Sequence, residues 1–256
     1  MLETDAQPSV RRASSESHLD QLRLLTFGGL SLLAGDVTLT GAATRRHRLA
    51  LLALLSMARG RGLNRDKIQA YLWAESDVER ARHGLNQLVY FQRRHLDNEE
   101  LFVGRKTLRL NTDLITSDVW EFEDRLESGA LESAVRLYTG SFLDGFFLKG
   151  APEFERWVTS QRKRLAERCA EALGRLATAS VARGDYRQAV EWWRRAAELN
   201  PFDTETVLQL AQAWVAVGDR AAAVRCAQQY EQVLKSELDL PPDPRVTRMM
   251  ATLRGG

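Results

Sequence analysis

Cysteine is almost missing from this chain: Cys169 and Cys226 are the only two in 256 residues. Each falls in an expected helix without a second metal ligand nearby. That excludes a disulfide framework and a cysteine zinc site, and suits a reduced compartment with two packed thiols. Histidine is nearly as scarce, and His18, His47, His83 and His95 lack metal-ligand spacing. Long apolar runs are missing too. The longest, Leu49 to Ala58, falls short of the roughly 18 to 20 residues of a membrane span, so a soluble cytoplasmic protein is expected. The sequence has no Gly-x-x-x-x-Gly-Lys-Ser/Thr phosphate loop and no nucleophile motif, and pairs such as Glu99-Glu100 fall in surface links. Neither an enzyme, a metal nor a cofactor is predicted.

What is present is an ordinary globular composition, 44% hydrophobic and 27% charged, in a length that accommodates two domains. Residues 1–20 are rich in Ser, Asp, Glu and Arg, lack the apolar centre of a secretory signal, and are read as a disordered leader. The net charge of +2 is small, but its distribution is uneven: residues 21–113 hold 15 Lys and Arg against 9 Asp and Glu. A basic excess confined to one stretch is the mark of a phosphate-facing surface.

That stretch has an ordered pattern. Short apolar segments at Leu22–Phe27, Leu30–Leu33 and Val37–Leu39 are broken by Gly28-Gly29 and Gly35-Asp36, which reads as strands joined by turns. A helix follows over Arg46–Arg59, with Leu49, Leu52, Ala53 and Met57 on its inward face. Asn64 can cap a second helix over Arg65–Trp73. The third helix starts near Val78, where Ser76 and Glu79 have the spacing of a capping box. At about 100° per residue, Arg82, His83, Asn86, Gln87, Tyr90, Arg93 and Arg94 share one arc of this helix, while Ala81, Leu85, Leu88, Val89 and Leu96 lie opposite. A hairpin follows, Leu101–Val103 and Thr107–Leu110, with Arg105 and Lys106 at its tip. Strands, three helices and a basic hairpin in this order are those of a winged helix-turn-helix reader of double-stranded DNA.

Within that reading, Arg82, His83, Asn86, Gln87 and Tyr90 are the candidates for base contact, and Arg93, Arg94, Arg105 and Lys106 for phosphate or groove edge. Arg45, Arg46 and Arg48 flank the first helix, where they can hold neighbouring backbone. A charged helix face taken alone is also what a solvated surface looks like. The whole ordered set favours the DNA reading.

Residues 114–256 follow a different rule. Gly184-Asp185 and Gly218-Asp219 are 34 residues apart, and Ala189-Val190 matches Ala223-Val224 in the same register, which is the period of tetratricopeptide (TPR) helical hairpins. Helices are predicted at about 119–127, 130–138, 152–183, 186–198, 204–217, 220–236 and 243–253, with Pro201 and Pro241-Pro242 as stops. Gly129 to Val135 resembles a degenerate opening of the same unit. Trp192, Trp193, Trp214 and Tyr230 can line a partner groove or, as large aromatics in such repeats commonly do, fill the space between helices. The predicted fold is therefore an α+β winged helix-turn-helix over 21–113 and an all-α TPR-like domain over 114–256, mainly α overall.

Leu49 to Leu55, Ile68 to Trp73, Ala81 to Leu96, Leu143 to Leu148 and Glu153 to Trp157 together resemble the SARP-type bacterial transcriptional activators, an OmpR-like winged helix followed by a bacterial transcriptional activation domain. The resemblance covers about residues 22–253. It implies a nucleoid-associated activator whose protomers sit side by side, as a homodimer, on direct repeats near promoters and recruit RNA polymerase through its sigma factor. The third helix departs from the family pattern at Gly84, Phe91 and Gln92. The alternative reading is a protein-interaction adaptor in which the repeats carry the function and the winged helix serves docking or dimerisation.

Overall fold

In the computed structural model, which describes residues 21–255, Leu22, Leu24 and Thr26 turn inward from the first strand as their alternation requires. This strand, β1 (Leu22–Leu25), pairs antiparallel with β2 (Ser31–Ala34), and β2 pairs with β3 (Val37–Thr38). On its other side β1 pairs in parallel with a strand from far along the chain, Ile115–Ser117, matching Leu22 with Ile115. The expected leader over 1–20 lies outside the described residues.

Helix α1 (Arg46–Ala58) is buried on all sides from Arg48 to Ser56 rather than along one inward face, while Met57, expected in that face, is only partly covered. The reason is its central place, with α2 (Arg65–Leu72), α3 (Val78–His95), a later helix α4 (Asp118–Glu127) and the hairpin around it. A run without amphipathic periodicity is what a helix sealed from every direction requires. Asn64, in β4 (Leu63–Asn64), caps α2 by accepting from the Asp66 N–H at 2.9 Å, as expected. The cap of α3 is Asp77, not Ser76: its carboxylate accepts from the Arg80 N–H at 2.9 Å. A charge there also suits the positive end of the helix. The strands β5 (Phe102–Val103) and β6 (Thr107–Leu110) form the expected hairpin, to which β4 adds a third strand.

The parallel partner of β1 is β7 (Ile115–Ser117), which leads into α4, α5 (Leu131–Leu137) and the 31-residue α6 (Pro152–Ala182). Then come α7 (Tyr186–Leu199), α8 (Thr204–Val217), α9 (Arg220–Leu238) and α10 (Pro244–Gly255), each within a few residues of the sequence expectation. The 34-residue repeat has a local cause. Gly184 and Gly218 both adopt positive φ, and Asp185 and Asp219 both cap the next helix. Ala189 and Ala223 are completely buried in the helix contacts that follow.

The two halves share one apolar core, running from Leu22 and Leu24 through α1 to Phe122, Phe142, Phe154, Cys169 and Leu173. The expected boundary at residue 113 thus falls just before a strand that completes the first sheet. Polar links cross the same seam: Arg59 grips Asp124 with two bonds at 2.5 and 2.7 Å, and Arg23 donates to Glu121 at 3.0 Å. Trp192 and Trp193 belong to this packing, and the Tyr230 hydroxyl is bonded to Thr204 at 2.5 Å. Half-buried Trp214 and buried Tyr230 line an open groove of about 510 Å³ between α7, α8 and α9.

Candidate nucleic-acid interface

Helix α3 is divided as its sequence requires. Ala81, Leu85, Leu88 and Val89 are buried, Leu96 is partly so, and Arg82, His83, Asn86, Gln87, Tyr90 and Arg94 are exposed. Tyr90 retains 54% exposure, so this aromatic belongs to the outer face and not to the core. The departures at Gly84 and Phe91 have local accounts. A Cβ at Gly84 would sit 3.2 Å from the Trp73 indole, so glycine makes room for the ring that ends α2. Phe91 lies under the Arg48 guanidinium, 5.6 Å from it. Gln92 is fully buried with neither amide atom hydrogen-bonded among the described residues, and nothing in the structure explains it.

The start of α2, one face of α3 and the tip of the β5–β6 hairpin enclose an open cleft of about 880 Å³. Arg82, Asn86, Arg93, Arg105 and Lys106 meet there, with Arg65, Gln69 and Asn64 beside them and Asp66 as the only carboxylate among the lining residues. His83, Gln87, Tyr90 and Arg94 continue the exposed face of α3 outside the cleft. The hairpin is held by backbone demands. Gly104 has φ near +98°, and a Cβ there would stand 2.0 Å from the Thr107 carbonyl oxygen. Arg93 is half-buried and donates from Nη2 to the Phe102 carbonyl at 2.7 Å, which ties α3 to the hairpin.

The sequence reading missed Arg65. Its Nε donates to the Arg105 carbonyl at 2.7 Å and its Nη1 to Oδ1 of Asn86 at 2.9 Å, so one side chain joins α2, α3 and the hairpin tip. Burial, and secondarily the charge of Arg93, pushes its pKa below the ordinary guanidinium value. A signal was available: a cation at the first position of a helix opposes the helix dipole and so calls for a tertiary partner.

The cations of α1 divide. Arg45 is exposed at the helix start. Arg46 is exposed but donates to the Phe147 carbonyl at 2.6 Å and lies over the Phe146 ring, which draws it toward the loop before α6. Arg48 must be corrected. It is buried, bonded to the Ala42 carbonyl at 2.5 Å, and cannot hold external backbone, because the wrap of the chain around α1 covers it.

Residues 121–254, just over half of the chain, match the family of the bacterial transcriptional activator domain. This chain belongs to that family. The match bears out the resemblance to SARP-type bacterial transcriptional activators. Among solved structures, Mycobacterium tuberculosis EmbR, captured with a low-affinity phosphopeptide, aligns with a TM-score of 0.67 over 91% of this activator-domain chain and 65% of that one. At 20% identity the likeness is one of fold, and this chain spans about 65% of EmbR's length. The MamA protein aligns over 70% of this chain and 98% of its own at 13% identity, and its TM-score of 0.26 carries no argument. No curated protein matches the sequence. Among the described residues, no helix is long and apolar enough to cross a membrane, and no group of His, Cys, Asp and Glu could hold a metal ion.

Proposed function

We propose that this activator-domain protein is a sequence-specific DNA-binding transcriptional activator. Helix α3 enters the major groove, and the β5–β6 tip reaches the adjoining minor groove or backbone. The observation that carries this reading is the convergence of Arg82, Asn86, Arg93, Arg105 and Lys106 on one open cleft, continuous with the exposed face of α3. Arg82, His83, Asn86, Gln87 and Tyr90 meet base edges. Arg94, Arg105 and Lys106 meet phosphate, with Arg45 and Arg46 beside the flanking backbone and Arg93 acting partly as a strap. The reading extends to protomers that bind side by side on direct repeats near promoters within the nucleoid and recruit RNA polymerase through its sigma factor; what supports it is the resemblance to the SARP-type activators.

The test is the salt dependence of duplex binding. Affinity is expected to fall steeply as salt rises, and changing Arg105 or Lys106 to Gln is expected to flatten the logarithmic slope by about 1 each. A flat response in the unaltered protein removes the reading. A stable complex with a partner protein and no duplex binding would instead establish an adaptor.

A further inference from the structure

Asn86 is the residue on the outer face of α3 whose side-chain amide is held by another element of the fold. Arg65 carries only donors, so the Asn86 atom facing its Nη1 at 2.9 Å is the oxygen, and the nitrogen lies on the opposite branch. Arg65 is itself fixed. Its Nε is bonded to the Arg105 carbonyl, and its backbone N–H donates to the Lys106 carbonyl at 3.2 Å. The amide is therefore oriented before any ligand arrives, in the cleft that Asn86, Arg65 and Arg105 line together.

This matters because an asparagine reads adenine by using both ends of its amide, the oxygen accepting from N6 and the nitrogen donating to N7. With Arg65 already on one lone pair of Oδ1, the amide keeps a single free acceptor site against two N–H donors. Guanine offers the NH2 group two adjacent acceptors, N7 and O6, whereas adenine offers it one, N7, beside the N6 donor, and thymine one, O4. We propose that Arg65 is a positioning residue that takes up one lone pair of the Asn86 oxygen and weights this side chain toward donation, so that Asn86 prefers guanine over adenine. The inference rests on the duplex-reading function proposed above.

The test is selection of bound duplexes from a randomised pool by the full chain. The unaltered protein is expected to prefer guanine over adenine at the position that loses its preference in Asn86→Ala. In Arg65→Met, which preserves bulk but cannot donate, preference at that same position is expected to move toward adenine by about tenfold, with other positions unchanged. Arg65→Lys keeps the charge but cannot hold both acceptors in one planar fork, and is expected to shift the same position by less. The lysine variant carries the test if the methionine variant does not fold. Unchanged preference in every Arg65 variant that folds, uniform loss across all positions, or selection of adenine by the unaltered protein overturns the proposal. Absence of duplex binding by the unaltered protein would overturn the DNA-reading function itself, and the inference with it.

Discussion

Asp118 and Thr26, 92 residues apart, are joined twice: Oδ2 of the carboxylate accepts from the Thr26 N–H at 2.7 Å and Oδ1 from the Thr26 hydroxyl at 2.6 Å. The Phe27 N–H adds a bond at 2.9 Å to Oδ2. Burial pushes the Asp118 pKa up, against these bonds. The first residue of α4 thus holds the chain just past β1, across the seam between the winged helix and the helical repeats.

Asp118→Ala removes the acceptor of three buried N–H groups, those of Thr26, Phe27 and Val119, and is expected to cost about 2 to 4 kcal/mol. Asp118→Asn keeps one oxygen for Thr26 and Phe27 and is expected to cost less. Urea unfolding followed separately by tryptophans of the two halves, Trp73 and Trp193, checks this. Because the halves share a core, the two probes are expected to shift together; a shift confined to Trp73 would show that the seam does not couple them.

Gln92→Met replaces an unpartnered buried amide on α3 with a thioether of similar length. The expected result is a gain of about 1 to 3 kcal/mol in the unfolding free energy. Thermal and chemical denaturation measure it, and a loss of stability would reveal a hydrogen-bond partner for this side chain.

Gly104→Ala forces a Cβ into the Thr107 carbonyl and strains a positive φ, so the hairpin tip must move. Duplex affinity is expected to fall about tenfold or more, since Arg105 and Lys106 move with the tip, while far-UV circular dichroism stays close to the unaltered protein. Equal affinity would remove the hairpin from the interface.

Burial raises the Cys169 and Cys226 thiols to about 12 and about 11, from an unfolded value of 9.0. At neutral pH the folded protein is expected to react with a thiol reagent more slowly than in urea, about a hundredfold at Cys226 and about a thousandfold at Cys169. The folded state holds these protons more tightly than the unfolded one. Their contribution to stability is therefore complete below the unfolded value and is lost as pH rises toward the folded values. Between pH 9 and 11 the unaltered protein is expected to lose stability relative to the Cys169→Ala, Cys226→Ala double variant. Parallel profiles would contradict this.

Where local periodicity or a cap decides the structure, the sequence was legible. The outward row on α3, the Asn64 cap and the Gly-Asp repeat all act within a few residues of themselves, and each is found where expected. The errors share a cause. Arg48 sits at a helix start and carries a charge, which locally signals a surface, yet the chain folds over it. The departure from the family pattern at Gly84 is accounted for only by the distant Trp73 ring, which takes the space beside it.

The order of residues by itself determined the helices, the turns, the basic stretch and the polar face of α3, because these depend on periods of two or about 3.6 and on backbone groups near in sequence. Tertiary structure alone decided that β7 returns to pair with β1, that one core runs through both halves, and that Arg65 meets Asn86 and the hairpin tip. Those relationships join residues 21 to more than 90 positions apart, and no local pattern specifies which distant surface a side chain will meet.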